Sequence, residues 1–496
     1  MAIPNSASQQ CRIAIVGAGI SGLSAAYTLK KAGLSADVYE ATDHVGGRCR
    51  NDWEDGYKFF VGAGSTEPQW ETTFSYLHEL GIEDQVEQQA GEASMGFVTN
   101  GKPHLMRLGG PVPQMLGQLI NFLPAFPAGT YAQGIKFLAL MGKYIKALDF
   151  EKGDFTALDE LSDISIYDWC QQNGYPDLCT YVLDPLVSNM VCDNSHHISM
   201  GHVIMLFSLM TGMCTLKDGM GVISEKLYEQ VADQVKLRTP VEEVVIEGSK
   251  VRGVRVAGKL VEYDEVIVAL DAITTRKLVP GLSDAQRTAL ENCNYSKVFY
   301  YQFGLKEANP TLGHGAVFYA ANEGGYLAGL SQSDDGTGHP MLMSQTRAEK
   351  FEELAAMDSD ERLKLIIAET RKVLPDFPEN PPKVHVYRWN ISVNLEGPGQ
   401  FKAVNDLKAN HLNDIEGLRL AGDYQFLIAS TEGSMDAGRR RAEEIIAAQG
   451  LPVPQLQRPK APDPKREGSS GMKVAAGFAA GAVAGAAITA FAKRRR

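Results

Sequence analysis

The sequence lacks the features of a secreted or metal-binding protein. Residues 1–10 are polar, so no secretory signal peptide is expected. The seven cysteines show neither CxxC nor metal-ligand spacing: Cys11, Cys49, Cys170, Cys179, Cys192, Cys214 and Cys293. An odd cysteine count without a signal peptide is typical of a reducing, cytoplasmic compartment, and no metal site is expected.

Positive charge is also scarce. The chain has 48 Lys and Arg against 60 Asp and Glu, a formal net charge of −12. Basic residues form no stripe outside the last few positions, so a nucleic-acid partner is not expected. No His/Asp or Cys/His pair indicates general-base chemistry, and lone histidines such as His44 are typical of surfaces. What remains is an ordinary globular composition, 44% hydrophobic over 496 residues, enough for about two or three domains.

A glycine-rich turn is the most informative feature that is present. An apolar strand ending at Val16 leads into Gly17-Ala-Gly19-Ile-Ser21-Gly22. Gly17 permits a tight turn, Gly19 lets the backbone approach a pyrophosphate, and Gly22 lets helix and strand pack closely. The N–H groups at the start of the following helix can bind an anion. We therefore predict that these glycines and Ser21 bind a dinucleotide.

An acidic residue supports this interpretation. The helical run Leu23–Ala32 is followed by a second short strand, Ala36–Tyr39, which ends at Glu40. At this spacing a carboxylate can accept hydrogen bonds from both ribose hydroxyls. A glycine-rich turn in an ordinary strand–helix unit would leave Glu40 unexplained.

The next residues favour FAD over NAD. Gly46, Gly47 and Arg48 follow the acid; glycines let a loop lie flat against a cofactor, and a guanidinium can bind a diphosphate through two N–H groups. Short strands recur far downstream, at Val235–Leu237, Val241–Ile246, Val251–Val256 and Glu265–Leu270. Gly422-Asp423-Tyr424 and Glu432-Gly433 follow near the C-terminus.

These segments, in this order, resemble the flavoprotein superfamily of amine oxidases, protoporphyrinogen oxidases and phytoene-type desaturases, over nearly all of residues 11–448. The resemblance implies that the N-terminal glycines, Glu40 and the Gly-Gly-Arg hold the ADP half of FAD. It places the backbone of Val241 at the adenine and Gly422 with Asp423 at the ribityl and diphosphate region. The helix beginning near Gly433 would point at the flavin ring, which makes Glu432 and Gly433 cofactor-binding candidates.

Two departures from the family pattern concern the substrate side. Phe60 stands where the family often has an acid, and Asn394-Leu395-Glu396 stands where Pro-x-Tyr is usual. A segment around Trp389 resembles the tryptophan strand beside the flavin. The C-terminal segment contains no cysteine, so the resemblance implies non-covalent FAD.

The predicted fold class is α/β. A discontinuous, Rossmann-like FAD-binding domain would comprise residues 11–70, 212–290 and 385–448, and an inserted α+β substrate domain would comprise 71–211 and 291–384. Helices are predicted over Thr73–Leu80, Ile166–Asn173, Leu178–Val191 and Ser359–Val373. Six side chains in the first insertion either line an apolar channel or pack as core: Phe122, Phe126, Tyr131, Phe137, Met141 and Tyr144.

The chemistry implied is transfer of a hydride to flavin. The sequence has one dinucleotide fingerprint, so an organic substrate, rather than NAD(P)H, is expected to supply the electrons. Dioxygen, a quinone and a carrier protein all remain open as acceptors. Candidates for the reaction face are Lys297, Trp389 and Tyr424. In the amine oxidases a lysine near this strand holds a water against the flavin; the alternative is an exposed lysine at a strand start.

The C-terminal tail differs from the rest of the chain. Residues 450–471 are rich in proline and charge, which predicts a linker. Residues 472–496 are apolar Gly and Ala with a basic end, and Val474–Ala492 at roughly 1.5 Å per residue just matches a hydrocarbon core of about 30 Å. A membrane-surface helix or weak anchor on the cytoplasmic side competes with a flexible or self-associating tail.

The sequence therefore predicts an FAD-dependent oxidoreductase that takes a hydride from a small organic substrate, with an apolar one favoured by the desaturase-like C-terminal motif. The alternatives are an amine oxidase that uses Lys297, a flavin-dependent isomerase without net oxidation, and a flavin-binding scaffold without catalysis. Fold alone does not separate them, because function depends on the site.

Overall fold

A computed structural model describes residues 11–68, 70–88, 94–107, 123–148, 156–209, 214–313, 315–334, 337–409, 412, 414–426 and 428–457. The expected tail helix, residues 472–496, lies outside these ranges, as does the linker beyond residue 457. Leu451, Val453 and Leu456, at the start of that linker, pack against the core. Among the described helices, none is both long and apolar enough to cross a membrane.

A five-stranded parallel sheet forms the centre of the cofactor side, in the order β21-β13-β1-β2-β9. Its strands are β1 (Ile13–Val16), β2 (Ala36–Tyr39), β9 (Val235–Lys236), β13 (Glu265–Ala269) and β21 (Leu418–Ala421). β1 is buried along its whole length, as expected for a parallel strand covered on both faces. The strands come from all three segments predicted to form one domain, residues 11–70, 212–290 and 385–448.

Two helices, α1 (Ile20–Lys31) and α15 (Thr431–Ala448), lie against this sheet, and a third, α9 (Gly221–Val231), packs on α1. α1 and α15 approach very closely, since a Cβ added to Gly438 would lie 1.9 Å from the carbonyl oxygen of Ser21. The first and last helices of the cofactor side are thereby fixed against each other.

A three-stranded antiparallel sheet and two helices extend the cofactor side. They are β10 (Val241–Glu247), β11 (Lys250–Val256), β12 (Lys259–Glu262), α10 (Ala272–Leu278) and α11 (Asp284–Glu291). A hairpin, β3 (Asn51–Glu54) with β4 (Tyr57–Phe60), follows the Gly-Gly-Arg loop.

A seven-stranded mixed sheet forms the second part, in the order β19-β15-β18-β17-β16-β6-β7. Its strands are β6 (Ser94–Thr99), β7 (Lys102–Arg107), β15 (Val298–Gly304), β16 (Gly315–Tyr319), β17 (Leu327–Asp334), β18 (Pro340–Thr346) and β19 (Lys383–Trp389). The domain boundary proposed at residue 385 falls inside β19. α12 (Phe351–Ala356) and α13 (Ser359–Val373) supply side chains to the apolar core of this sheet.

Short strands link these parts. β5 (Val86–Gln88) pairs with β8 (Cys214–Leu216), and β14 (Asn294–Tyr295) pairs with β20 (Asn394–Leu395). The second pair places Tyr295 opposite Asn394, next to the candidate site.

The helical part of the first insertion has its own apolar core. Its helices are α3 (Ala128–Ala147), α4 (Asp159–Ser162), α5 (Ile166–Asn173), α6 (Pro176–Leu178), α7 (Asp184–Met190) and α8 (Met200–Leu209). Val404 of α14 (Gln400–Lys408) joins this core, whereas α2 (Glu71–Glu79) packs on the core of the cofactor side. Phe126, Tyr131, Phe137 and Met141 are buried in this core, which supports the packing interpretation; Phe122 lies outside the described residues.

One predicted helix is interrupted. The sequence predicts a single helix over Leu178–Val191, but a π-helical turn, Cys179–Leu183, separates α6 from α7. Pro185 lies in the first turn of α7 and has no backbone N–H to continue the regular ladder, which accounts for the irregular turn before it.

Candidate active site

The glycine turn has the geometry of a phosphate-binding turn. Gly17 has φ +101°, and a Cβ on Gly22 would lie 1.9 Å from the Gly17 carbonyl oxygen. Around Gly19, in contrast, an added Cβ would meet nothing within 4 Å. Gly19 begins α1 without a side-chain cap, and the buried Ser21 hydroxyl has no hydrogen-bond partner among the described residues. Uncapped N–H groups beside open space fit a cofactor diphosphate.

Glu40 is fixed beside this turn. One carboxylate oxygen accepts from the backbone N–H of Ala18 at 2.9 Å, and the other accepts from the N–H and hydroxyl of Thr42 at 2.9 and 2.8 Å. The acid predicted to bind ribose therefore lies next to the turn predicted to bind diphosphate.

The Gly-Gly-Arg loop lies against the same turn. The N–H of Gly46 donates to the Ala18 carbonyl at 2.9 Å, and Gly46 and Gly47 have φ values of +92° and +56°. Gly46 has no room for a side chain, because a Cβ would lie 2.7 Å from the Cys49 carbonyl oxygen.

Arg48 connects this loop to the C-terminal motif. Its guanidinium pairs with Asp423 at 2.8 Å and donates to the carbonyl of Ser392. Tyr295 donates to the other oxygen of Asp423 at 2.9 Å and accepts from the N–H of Ala272 at 3.0 Å. Burial and the charge of Asp423 raise the pKa of Tyr295, so it stays a neutral donor. We call Arg48, Asp423, Tyr295 and Ser392 the cofactor cradle.

Two further predicted cofactor residues lie at the ends of strands. Gly422 has φ +150°, and a Cβ there would lie 2.4 Å from the Leu270 carbonyl oxygen. Val241 begins β10 and belongs to the same apolar core as Val16 and Tyr39, which end β1 and β2. Val241 thus lies at the start of β10, and Gly422 directly follows β21.

Glu432 is used by a neighbouring helix. Its carboxylate accepts from the N–H groups of Thr72 and Thr73 at 2.9 and 2.7 Å, and from the Thr73 hydroxyl at 2.8 Å. These bonds satisfy the free N–H groups at the start of α2. Gly433 is held close to Phe426, since a Cβ would lie 2.3 Å from that side chain.

The three candidates for the reaction face lie in different surroundings. Lys297 is about half exposed, with its side chain 48% accessible, and pairs with Glu352 at 2.6 Å. Tyr424 is completely buried in the core of the cofactor side. Trp389 lies at the end of β19 in an aromatic cluster.

A buried acid–base pair was not predicted from the sequence. His202 Nδ1 contacts Glu396 Oε2, and the two side chains are 1% and 6% exposed. Burial raises the pKa of Glu396, while His202 and the backbone N–H of Ala429 oppose the shift. Glu396 was noted only as a departure from the family pattern, and His202, in an apolar helix remote in sequence, gave no signal of its own.

Comparisons with known proteins identify the family of this chain. The model of the family "Flavin containing amine oxidoreductase" matches residues 20–446. The chain is 25% identical to 15-cis-phytoene desaturase of Synechococcus elongatus over 481 residues, covering 88% of this chain and 96% of the desaturase. It is 27% identical to protoporphyrinogen oxidase 2 of Arabidopsis thaliana over 191 residues, covering 38% of this chain and only 34% of that protein.

A solved structure shows the same fold. Cyclohexylamine oxidase from Brevibacterium oxydans superposes with a TM-score of 0.70 at 16% identity, covering 89% of this chain and 100% of that one. The family match extends from α1 into the last turn of α15 and includes all four residues of the cofactor cradle. The chain therefore belongs to the flavin-containing amine oxidoreductase family, and as a member of that family it is an FAD-dependent oxidoreductase.

Proposed function

We propose that this enzyme removes a hydride from a small, apolar organic molecule, with FAD held non-covalently by the glycine turn and the cofactor cradle. When bound, FAD supplies the hydride acceptor. The proposal rests on the path of the backbone over residues 389–396. This segment begins at the aromatic cluster of Trp389, passes the Ser392 carbonyl that binds Arg48, and ends at the buried Glu396.

The surroundings of Trp389 support an apolar substrate. Trp389 stacks on Tyr387 with ring centroids 6.3 Å apart, and both pack with Phe59, Tyr300 and Met343. Ligand sites with mainly aromatic and aliphatic walls bind by burial of apolar surface. A polyene or a porphyrinogen-like compound fits such a wall better than a small cation.

The placement of Lys297 does not support the amine-oxidase alternative in the form that depends on this lysine. Its ammonium group pairs with Glu352 and lies 5.7 Å from the ring centroid of Phe351. Both members of the ion pair are well exposed. Lys297 is thus oriented toward solvent and a surface carboxylate.

Anaerobic flavin reduction tests the proposal. The purified FAD-bound protein is mixed with a polyene in detergent, a porphyrinogen in detergent, a primary amine and a secondary amine, and loss of the flavin absorbance is followed. We expect bleaching by an apolar compound. Bleaching by amines alone would contradict the proposal. Turnover without consumption of an acceptor would identify an isomerase, and a failure of every compound would favour the scaffold alternative.

The electron acceptor is identified in the same preparation. Once the flavin has been reduced, dioxygen, a quinone and a carrier protein are added separately, and recovery of the flavin absorbance is timed. The fastest of the three is the acceptor that the enzyme favours.

A further inference from the structure

One face of the seven-stranded sheet lies toward the helical layer and is covered at one end by α7. Phe318 on this face belongs to the helical core, and Gly329 and Gln345 follow it across the neighbouring strands. The side-chain amide of Gln345 donates to the Ser188 carbonyl at 2.7 Å. A Cβ added to Gly329 would lie 2.3 Å from the side-chain nitrogen of Asn189. α7 therefore leaves no space above this end of the face.

The β3–β4 hairpin covers another part of the same face. The N–H of Phe60 donates to Gln302 Oε1 at 3.0 Å, and the Gln302 amide donates back to the Phe60 carbonyl. Gln302 is completely buried as a result. Beside these two covers the face has four half-buried side chains, which we call the sheet floor: Tyr300, Ser331, Met343 and Trp389.

The sheet floor adjoins the cofactor cradle. Trp389 shortly precedes Ser392, whose carbonyl binds Arg48. Cys192, just beyond α7, interacts with both Ser392 and Tyr300. The helical layer, the sheet and the cradle therefore meet at this floor, and ligand sites are found preferentially where parts of a molecule meet.

The Tyr300 hydroxyl donates to a weak acceptor. Its partner is Met343 Sδ at 3.2 Å, and a thioether sulfur accepts hydrogen bonds only weakly. Burial raises the pKa of Tyr300, although a hydrogen bond from Ser331 opposes the shift, so the hydroxyl keeps its proton at neutral pH. An oxygen atom of a ligand would be a better acceptor than the sulfur that it replaces.

Resting on the function proposed above, we propose that Tyr300 is a specificity-determining residue whose hydroxyl donates a hydrogen bond to an oxygen atom of the substrate. The substrate class is then an apolar molecule that carries an oxygen acceptor, such as a carbonyl or ether group, rather than a pure hydrocarbon. The apolar body lies on Trp389 and Met343, and the oxygen lies at Tyr300. A hydrocarbon would leave Tyr300 with its thioether partner and gain nothing from the hydroxyl.

Binding of two matched ligands tests the proposal without turnover. Tetralin and 1-tetralone have nearly the same shape, and only the ketone offers an oxygen acceptor. Their dissociation constants are measured on the FAD-bound protein from the perturbation of the flavin absorbance. We expect the wild type to bind the ketone about fivefold more tightly than the hydrocarbon. In Tyr300→Phe this preference should disappear, while the affinity for tetralin should stay.

Tyr301→Phe is the matched control. Tyr301 is the next residue of β15 and packs in the core on the opposite side of the sheet, where its hydroxyl accepts from Arg362 Nε at 3.0 Å. Loss of that hydroxyl should leave the ratio of the two dissociation constants unchanged. A purely structural effect of Tyr300→Phe would weaken both ligands together and would also leave the ratio unchanged, so the ratio distinguishes recognition from packing.

The proposal is overturned if the wild type binds tetralin as tightly as 1-tetralone, if neither ligand binds, or if Tyr300→Phe keeps the preference. This outcome is separate from that of the proposed function. If no compound bleaches the flavin of the wild type, the proposed function fails, whereas a preference for the ketone that depends on Tyr300 would still identify the ligand site.

Discussion

The two halves of the proposed cofactor site are built in opposite ways. The glycine turn, Glu40 and the Gly-Gly-Arg loop come from one continuous stretch of chain, residues 17–48. The other half joins three distant segments: Ser392 and Asp423 bind Arg48, and Tyr295 donates to Asp423. The first half depends on backbone geometry, whereas the second depends on tertiary packing.

This difference separates two kinds of sequence signal. A backbone that must turn sharply or approach a neighbour closely leaves glycines at fixed spacing, and such spacing is visible in one sequence. A side chain that completes a site from another strand leaves no local pattern. Arg48 and Asp423 were predicted because they belong to motifs, whereas Tyr295, which shares the same carboxylate, was not.

The largest loss of FAD binding and of stability is expected from a change in the first half, the continuous stretch of residues 17–48. Gly22→Val would place side-chain atoms where even a Cβ lies 1.9 Å from the Gly17 carbonyl oxygen. Because neither backbone can move without breaking the turn, we expect loss of bound FAD and destabilisation above roughly 4 kcal/mol. Visible absorbance and urea unfolding measure both.

The control for this change is Gly142→Ala in α3. An added Cβ there meets nothing within 4 Å, so the variant should keep its FAD and gain up to about 1 kcal/mol of stability. A yellow, stable Gly22→Val protein would show that the turn tolerates side chains and would remove the basis of the fingerprint interpretation.

A smaller effect is expected at the assembled half. Asp423→Asn removes the charge from a partly buried ion pair, in which Asp423 is 5% and Arg48 35% exposed, and should lower the free energy of unfolding by about 3 kcal/mol. Tyr295→Phe removes one hydrogen bond to the same carboxylate and should cost roughly 1.5–3 kcal/mol. Urea unfolding of both variants gives the ranking, and a larger loss for Tyr295→Phe would contradict the view that Asp423 organises the cradle.

The smallest effect is expected outside both halves. Lys297→Met removes an exposed ion pair with Glu352, which is worth about 0.2–1 kcal/mol. Flavin reduction should stay at the wild-type rate. If the variant instead reacts with an amine orders of magnitude more slowly than the wild type, Lys297 belongs to the reaction face and the amine-oxidase alternative is correct.

Local signals also explain what could be predicted of the fold. The helices Ile166–Asn173 and Ser359–Val373 have the predicted bounds. Their N-caps are Ser165 and Asp358, which accept hydrogen bonds from first-turn N–H groups. Amphipathic spacing and a capping side chain together fix where such helices begin.

Other elements depended on partners remote in sequence. The hairpin of β6 and β7 in the first insertion was not predicted, although Asn100 and Gly101 form its turn with φ values of +52° and +69°. An Asn-Gly turn of this kind was a usable signal. In contrast, no sequence pattern within either strand indicates that β16 pairs in parallel with β6, which is remote from it in sequence.

The residues predicted near the reaction face also show that a sequence motif does not determine side-chain contacts. Tyr424 was predicted at the reaction face because of its motif, but its side chain is buried in the core. The Glu432 carboxylate was predicted near the cofactor and carries three hydrogen bonds to α2. A motif fixes the position of the backbone, while the surrounding elements decide what each side chain contacts.

The most direct test of the central claim, non-covalent FAD held by both halves of the site, is the visible spectrum of the purified protein before and after denaturation. We predict a yellow protein that releases stoichiometric FAD into the filtrate when it is unfolded. A colourless protein, or flavin that stays attached to the unfolded chain, would contradict the account.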